Sequence, residues 1–307
     1  MKIAYIDIIH DQTFKPGLIM TTQLKEQEAK TIIFLHLPKA AGTTLRDIFS
    51  RQYQADSIYE LDGTKFLKAQ EDFKQLEVEK KEKIRILMGH MYFGLHEFLP
   101  GPTTYVTMLR NPIERVISYY FFVKNLPTHP DYELIKSKKI TLADYCRMQR
   151  ENMRNGQTRF LSGTKEFEAC SYQTLEQAKK HLQENFSAVG IQEKFDESLL
   201  LLKSKLNWQK TPFYYQRNTN KANFYDQLEI SNKTLSTIEK SNELDLELYE
   251  YANKMFEQEY NQQSHKINQN LQLFKLTNQI YGKYSVFIKK VASSKMSALA
   301  SHKAIFL

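Results

Sequence analysis

The chain has 307 residues, 41% of them hydrophobic and 12% aromatic, with only ten glycines and eight prolines. That composition supplies a substantial core and excludes collagen-like, low-complexity and disordered chains. The net charge of +8 sits almost wholly at one end: Asn261 to Leu307 holds seven lysines (Lys266, Lys275, Lys283, Lys289, Lys290, Lys295, Lys303) and no acid, leaving 36 basic and 35 acidic residues before it.

A nearly neutral body is not the basic face of a nucleic-acid binder, so no nucleic-acid partner is expected. No apolar run approaches the roughly 18 residues that span a bilayer. Asp7, His10 and Asp11 interrupt the apolar stretch a signal peptide needs. Cys146 and Cys170 lie far apart, which fits a reducing cytoplasm better than a disulfide or zinc framework.

Residues 1–30 read as an irregular N-terminal extension. Thr31 to Leu37 (TIIFLHL) is a short apolar run of β-formers, a buried strand, and Thr43 to Phe49 opens a helix with a threonine cap. A charged helix is expected over 64–83, then a second strand, Ile84 to Met88, ending at Gly89-His90. The third strand, Thr103 to Leu109, stops at Arg110-Asn111-Pro112, where proline suits the first turn of a helix, Ile113 to Val123. The aromatic run of that helix, Tyr119 to Phe122, reads as core.

Helical patterns recur near 131–162 and 173–183. A fourth strand is expected over Phe186 to Gln192, then helices from Glu193 to about Tyr260 around an aromatic loop, Trp208 to Tyr225. The alternation predicts an α/β, three-layer fold with a mostly parallel central sheet flanked by helices. The domain spans 31–262, and 263–307 reads as a basic amphipathic tail. Such a tail suits peripheral contact with an anionic membrane at its inner face, a helix docked on the domain, or a frayed terminus.

In such sheets ligands bind beyond the carboxyl ends of the strands. Two motifs fall there. In the first, Leu37-Pro38-Lys39-Ala40-Ala41-Gly42-Thr43-Thr44, small residues let backbone N–H groups approach an anion. The helix start adds a positive dipole end, and Lys39 adds a mobile charge. The lysine precedes the glycine, so this is not a Walker A loop, which weakens an ATPase reading. An ordinary βα turn is the bland alternative. In the second motif, Arg110 stands at a strand end with Ser118 two turns along the next helix, a fork and a hydroxyl suited to phosphate, while Glu114 and Arg115 are expected to pair. Two anion sites on neighbouring strands suit a ligand with phosphates at both ends.

Phe34 to Leu45 (FLHLPKAAGTTL) and Met108 to Tyr120 (MLRNPIERVISYY), in this order and about 70 residues apart, closely resemble the 5′-phosphosulfate loop and 3′-phosphate motif of the 3′-phosphoadenosine-5′-phosphosulfate (PAPS) dependent sulfotransferases. The likeness is greatest to the carbohydrate branch that includes the heparan sulfate 2-O- and 6-O-sulfotransferases, and covers about residues 30–260. Asn155-Gly156-Gln157-Thr158-Arg159 resembles a stretch of the 6-O branch, and Val189-Gly190-Ile191-Gln192-Glu193 a later strand of the family. Asn111 stands where the family commonly has aspartate. The Golgi relatives carry a membrane anchor that is not read here, so a soluble, bacterial-type member is expected.

The resemblance implies sulfuryl transfer from PAPS to an acceptor hydroxyl, on a carbohydrate or glycoconjugate. Lys39, with Ala40, Ala41, Gly42, Thr43 and Thr44, would hold the 5′-phosphosulfate, and Arg110 and Ser118 the 3′-phosphate. His90 would be the general base, and Arg217 and Lys221 would cover the nucleotide. Asn155, Gln157 and Arg159 would meet the acceptor, and Tyr214 and Tyr215 either stack on a ring or pack. No metal is implied. A P-loop-like kinase and a non-catalytic binder of polyanions are the competing readings.

Overall fold

Thr31–Leu35 is buried at every position, as befits a strand covered on both faces, and it becomes the middle of the sheet. The computed structural model describes residues 30–148, 150–165, 168–215 and 230–303. Among them β1 (Thr31–Leu35), β2 (Ile58–Glu60), β3 (Ile86–Gly89), β4 (Thr103–Leu109) and β5 (Phe186–Ile191) form one parallel sheet in the order β2-β3-β1-β4-β5. Helices α1 (Gly42–Gln52), α2 (Phe66–Lys74), α3 (Val78–Lys81), α4 (Pro112–Lys124), α5 (Tyr132–Ser137), α6 (Leu142–Arg147), α7 (Gly156–Ser162), α8 (Tyr172–Asn185), α9 (Phe195–Lys205), α10 (Asn232–Ser241) and α11 (Glu243–Lys303) flank it. The fold is the α/β arrangement expected.

Three details differ from expectation. The half-exposed edge strand β2 has no apolar run to announce it. The helix expected over 64–83 is α2 and α3, folded back so that the Lys81 ammonium donates to the Lys74 carbonyl at 2.8 Å. The pattern over 131–162 is three short helices, α5 to α7. With α4 and α10, α5 and α6 bury a second apolar cluster that includes Val116, Tyr120, Ile135, Tyr145 and Ile238, while Phe160 and Leu161 of α7 join the main core.

Helix α11 has 61 residues and a length of about 90 Å. Asp245, Leu248, Ala252, Phe256, Ile267, Leu271 and Phe274 are buried at helical spacing along it. The helix therefore runs unbroken through the expected boundary at 262–263, and Ile267, Leu271 and Phe274 belong to the main core. Ion pairs Lys179–Glu247 (2.6 Å) and Lys275–Glu197 (2.9 Å) tie it to α8 and α9. The lysines of the expected basic amphipathic tail thus include one, Lys275, that pins the helix to the domain, as in the docked-helix reading. No described helix is long and apolar enough to cross a membrane.

Candidate active site

Strand register assembles the site. Leu35 of β1 pairs with Gly89 of β3, so the residues that follow, His36 and His90, leave the sheet side by side. Their rings stack with centroids 4.0 Å apart. On the other side of β1, β4 ends at Leu109 and hands the chain to Arg110. The Arg110 guanidinium donates to the Lys39 carbonyl at 3.2 Å, which joins the two anion motifs directly.

The loop from β1 to α1 is wound by positive φ at Lys39 (67°) and Ala41 (57°). Left-handed turns of this kind gather successive N–H groups around a concavity that accepts an anion. They cost non-glycine residues of order 1 kcal/mol or more each, a cost retained where the conformation serves a site. Ala41 precedes the first helical residue, Gly42, with no side-chain cap; Thr43 and Thr44 lie inside the first turn, so the expected threonine cap is absent. The Thr44 N–H is taken by the Ala41 carbonyl at 3.0 Å, so Gly42 and Thr43 carry the first-turn N–H groups that a helix start offers to an anion.

Gly42 is required by crowding. A Cβ there would stand 1.7 Å from His36 Nε2. The His36 ring thus lies on the helix start, and burial, helped by nearby His90, Arg46 and Lys39, holds its pKa well below the usual imidazole value.

His90 Nδ1 lies 2.7 Å from the His36 carbonyl. A carbonyl only accepts, so Nδ1 carries the hydrogen and Nε2 keeps its lone pair. Burial lowers the His90 pKa, the bond to the His36 carbonyl partly opposes this, and the charges of Arg46 and Lys39 lower it further. The ring is neutral at pH 7 and can take a proton. The Lys39 ammonium rests 4.4 Å above the Phe122 ring. Phe122, read from sequence as core, is 37% exposed.

At the second motif, Asn111 Oδ1 caps α4 by accepting from the Ile113 and Glu114 N–H groups (3.0 and 3.2 Å). Asparagine performs the cap that an aspartate would. Glu114 does not pair with Arg115. Adjacent helical residues point apart, and Glu114 meets Arg110 one turn back at 3.5 Å, while Arg115 lies buried 3.6 Å from Asp245. Ser118 is buried two turns along α4.

The three residues expected to meet an acceptor are all buried and face inward. Gln157 brackets the Arg110 main chain, accepting from its N–H and donating to its C=O, both at 2.9 Å. Arg159 donates to the Lys165 and Glu168 carbonyls at 2.7 and 2.8 Å. Asn155 Oδ1 accepts from the Asp245 N–H at 3.2 Å. Their polar heads hold main chain together and are closed to a ligand. Arg217 and Lys221 lie outside the described residues.

Beside the anion loop, a cleft of about 270 Å³ is lined by Thr44, Asp47, Ser50, Arg51, Tyr214, Tyr215 and Tyr281. Tyr214 also packs, its hydroxyl donating to Asp196 at 2.8 Å and its N–H to Asn278 at 2.7 Å. Arg51 donates to the Phe213 carbonyl and, at 3.2 Å, to the Tyr281 hydroxyl. Sequence reasoning missed Asp47, Arg51 and Tyr281, which come from distant segments. It also missed Asp245, whose signal was available: an acid at a buried position of an apolar helical stripe. Among the described residues no group of three or more His, Cys, Asp or Glu side chains gathers as a metal cradle.

Known proteins resemble this chain. Galactose-3-O-sulfotransferase 2 of Mus musculus is 22% identical over 261 residues, covering 78% of this chain. The heparin sulfate O-sulfotransferase of Drosophila melanogaster is 27% identical over 187 residues, covering 55%. The chain spans 65% and 53% of the lengths of these two relatives. A solved structure of mouse sulfotransferase SULT7A1 complexed with PAP shares 14% identity at a TM-score of 0.36, over 70% of this chain and 64% of that one. The family model for galactose-3-O-sulfotransferase matches residues 10–272, and the chain belongs to that family.

Proposed function

We propose that the protein transfers a sulfuryl group from PAPS to a hydroxyl of a sugar or glycoconjugate. The observation that carries the reading is the register that sets His90, the Lys39 loop and Arg110 on three adjacent strand ends. The donor has an anion at each end and an aromatic base. The wound loop and first turn of α1 suit its 5′-phosphosulfate, Arg110 and Ser118 its 3′-phosphate, and the tyrosine-lined cleft its base.

In this mechanism His90 Nε2 removes the acceptor proton as the hydroxyl oxygen attacks sulfur in line. The sulfur–oxygen bond to the 5′-phosphate breaks, releasing adenosine 3′,5′-bisphosphate. Lys39 leaves Phe122 to balance charge growing on the leaving oxygen, aided by backbone N–H groups already aimed there. No step calls for a metal. The sugar acceptor is supported by the family and by the printed activities of both relatives.

Labelled sulfate should pass from PAPS to a galactoside or another glycan hydroxyl in the presence of EDTA. His90→Ala should lower turnover by roughly 10²–10⁴-fold while leaving affinity for adenosine 3′,5′-bisphosphate near wild type. Transfer that requires Mg²⁺ and ATP would instead make the chain a kinase. Glycan binding with no turnover would make it a polyanion binder.

A second feature bears on location. Leu273, Leu276 and Ile280 form an exposed apolar line on α11, within the stretch that has lysines and no acid. We infer peripheral contact with anionic lipid, because a second copy would bring like charges together.

A further inference from the structure

Three sequence stretches far apart in the chain converge on one turn. The Arg110 N–H and C=O are both held by the Gln157 amide at 2.9 Å. The next N–H, of Asn111, donates to Glu193 Oε1 at 2.8 Å, and the Asn111 carbonyl accepts from the Arg115 N–H at 2.9 Å. Both residues are themselves anchored by α11, Glu193 through its side chain and Gln157 through its main chain. Glu193 Oε2 accepts from the Tyr249 hydroxyl at 2.9 Å. Gln157 opens α7, whose N–H groups at 157 and 158 donate to the fully buried Asp245 at 3.0 and 2.7 Å, with the Thr158 hydroxyl at 2.8 Å. Gln157 is 1% exposed and cannot itself meet a ligand.

We propose that Gln157 and Glu193 are positioning residues that set selectivity for the donor's 3′-phosphate without touching it. Arg110 sits at a strand end, on a long rotatable side chain. Its fork meets a phosphate squarely only when the peptide carrying it is fixed, because charge-assisted bonds depend on geometry. The Gln157 and Glu193 contacts supply that fixation, and the bond from Arg110 to the Lys39 carbonyl keeps the guanidinium aligned with the other anion site. The proposal rests on the reading of the donor as a 3′,5′-nucleotide.

Calorimetry on the full chain with two probes, adenosine 3′,5′-bisphosphate and adenosine 5′-phosphate, tests it. In Gln157→Leu and Glu193→Leu, affinity for the bisphosphate should fall about 10-fold or more, the scale of a weakened charge-assisted bond. Affinity for the monophosphate should change by no more than about 2-fold, since its contacts avoid this turn. Glu193→Gln keeps an oxygen for the Asn111 N–H and should restore selectivity. If buried Gln157→Leu fails to fold, the more exposed Glu193→Leu carries the test alone. Equal losses for both nucleotides, or selectivity intact in the Leu variants of a selective wild type, would overturn the positioning role only. A wild type that binds both nucleotides equally would overturn the donor reading as well.

Discussion

Replacing Gly42 with alanine is the sharpest probe of how the loop and the base are coupled. The added Cβ would lie 1.7 Å from His36 Nε2, and ordinary contact begins near 3.4 Å, so the ring must retreat by more than 1 Å. It has little room: it stacks on Phe34 (5.6 Å between centroids) and on His90 (4.0 Å). Overpacking of this kind costs about 1–3 kcal/mol. Displacing His90 by about 1 Å should cut turnover roughly 100-fold. The double variant Gly42→Ala with His36→Ala removes the clash. The two substitutions should then be strongly non-additive, the double variant regaining most of the melting temperature that Gly42→Ala loses. Melting curves and initial rates of the four proteins measure this. Gly42→Ala with wild-type stability, or additive losses in the double variant, would refute the reasoning.

Arg159→Leu should destabilise the fold by about 1–3 kcal/mol, because the buried guanidinium's two charge-assisted bonds to the Lys165 and Glu168 carbonyls are lost; denaturant titration measures it, and the acceptor KM of the surviving protein should stay unchanged. Stability should also fall on acidification. His36 and His90 both have lowered pKa values when folded, so below about pH 6.5 the unfolded chain binds protons first and the loss grows down to the folded values. Melting temperatures between pH 8 and 5 should follow that course, with a shallower slope in His36→Ala; a flat profile would count against burial of the pair. Finally, vesicles containing phosphatidylserine should co-sediment the protein, and the triple variant Leu273→Gln, Leu276→Gln, Ile280→Gln should stay in the supernatant. Equal behaviour of the two proteins would remove the lipid contact.

The long buried strands were readable because a parallel sheet covered on both faces demands unbroken apolar runs: Thr103–Leu109 falls where the run of β-formers does. The short edge strand β2 carries no such run, since half of its surface is solvated. At the candidate site, the two motifs proposed to hold anions stood out in the sequence because each is a local loop whose small, basic and hydroxyl residues lie within about ten positions. What local spacing cannot show is direction. Nothing around Asn155, Gln157 and Arg159 says whether their polar heads face a ligand or the chain: Asn155 meets α11, 90 residues later, and Gln157 meets Arg110, 47 residues back, while Arg159 turns to carbonyls six and nine residues on. The same long-range packing hid the cleft, whose walls come from α1, the segment after α9 and the far part of α11.

The course of α11 also sets the smallest unit that can fold. Phe213 lies flat between Phe274 and Tyr281, at 5.9 and 5.6 Å, and Ile267 and Leu271 plug the same core. A fragment cut where the charge pattern changes, near 262, would leave these apolar surfaces bare and strip one wall from the tyrosine cleft. Such a fragment should be prone to aggregation, and a useful shortened form must retain the helix beyond Tyr281.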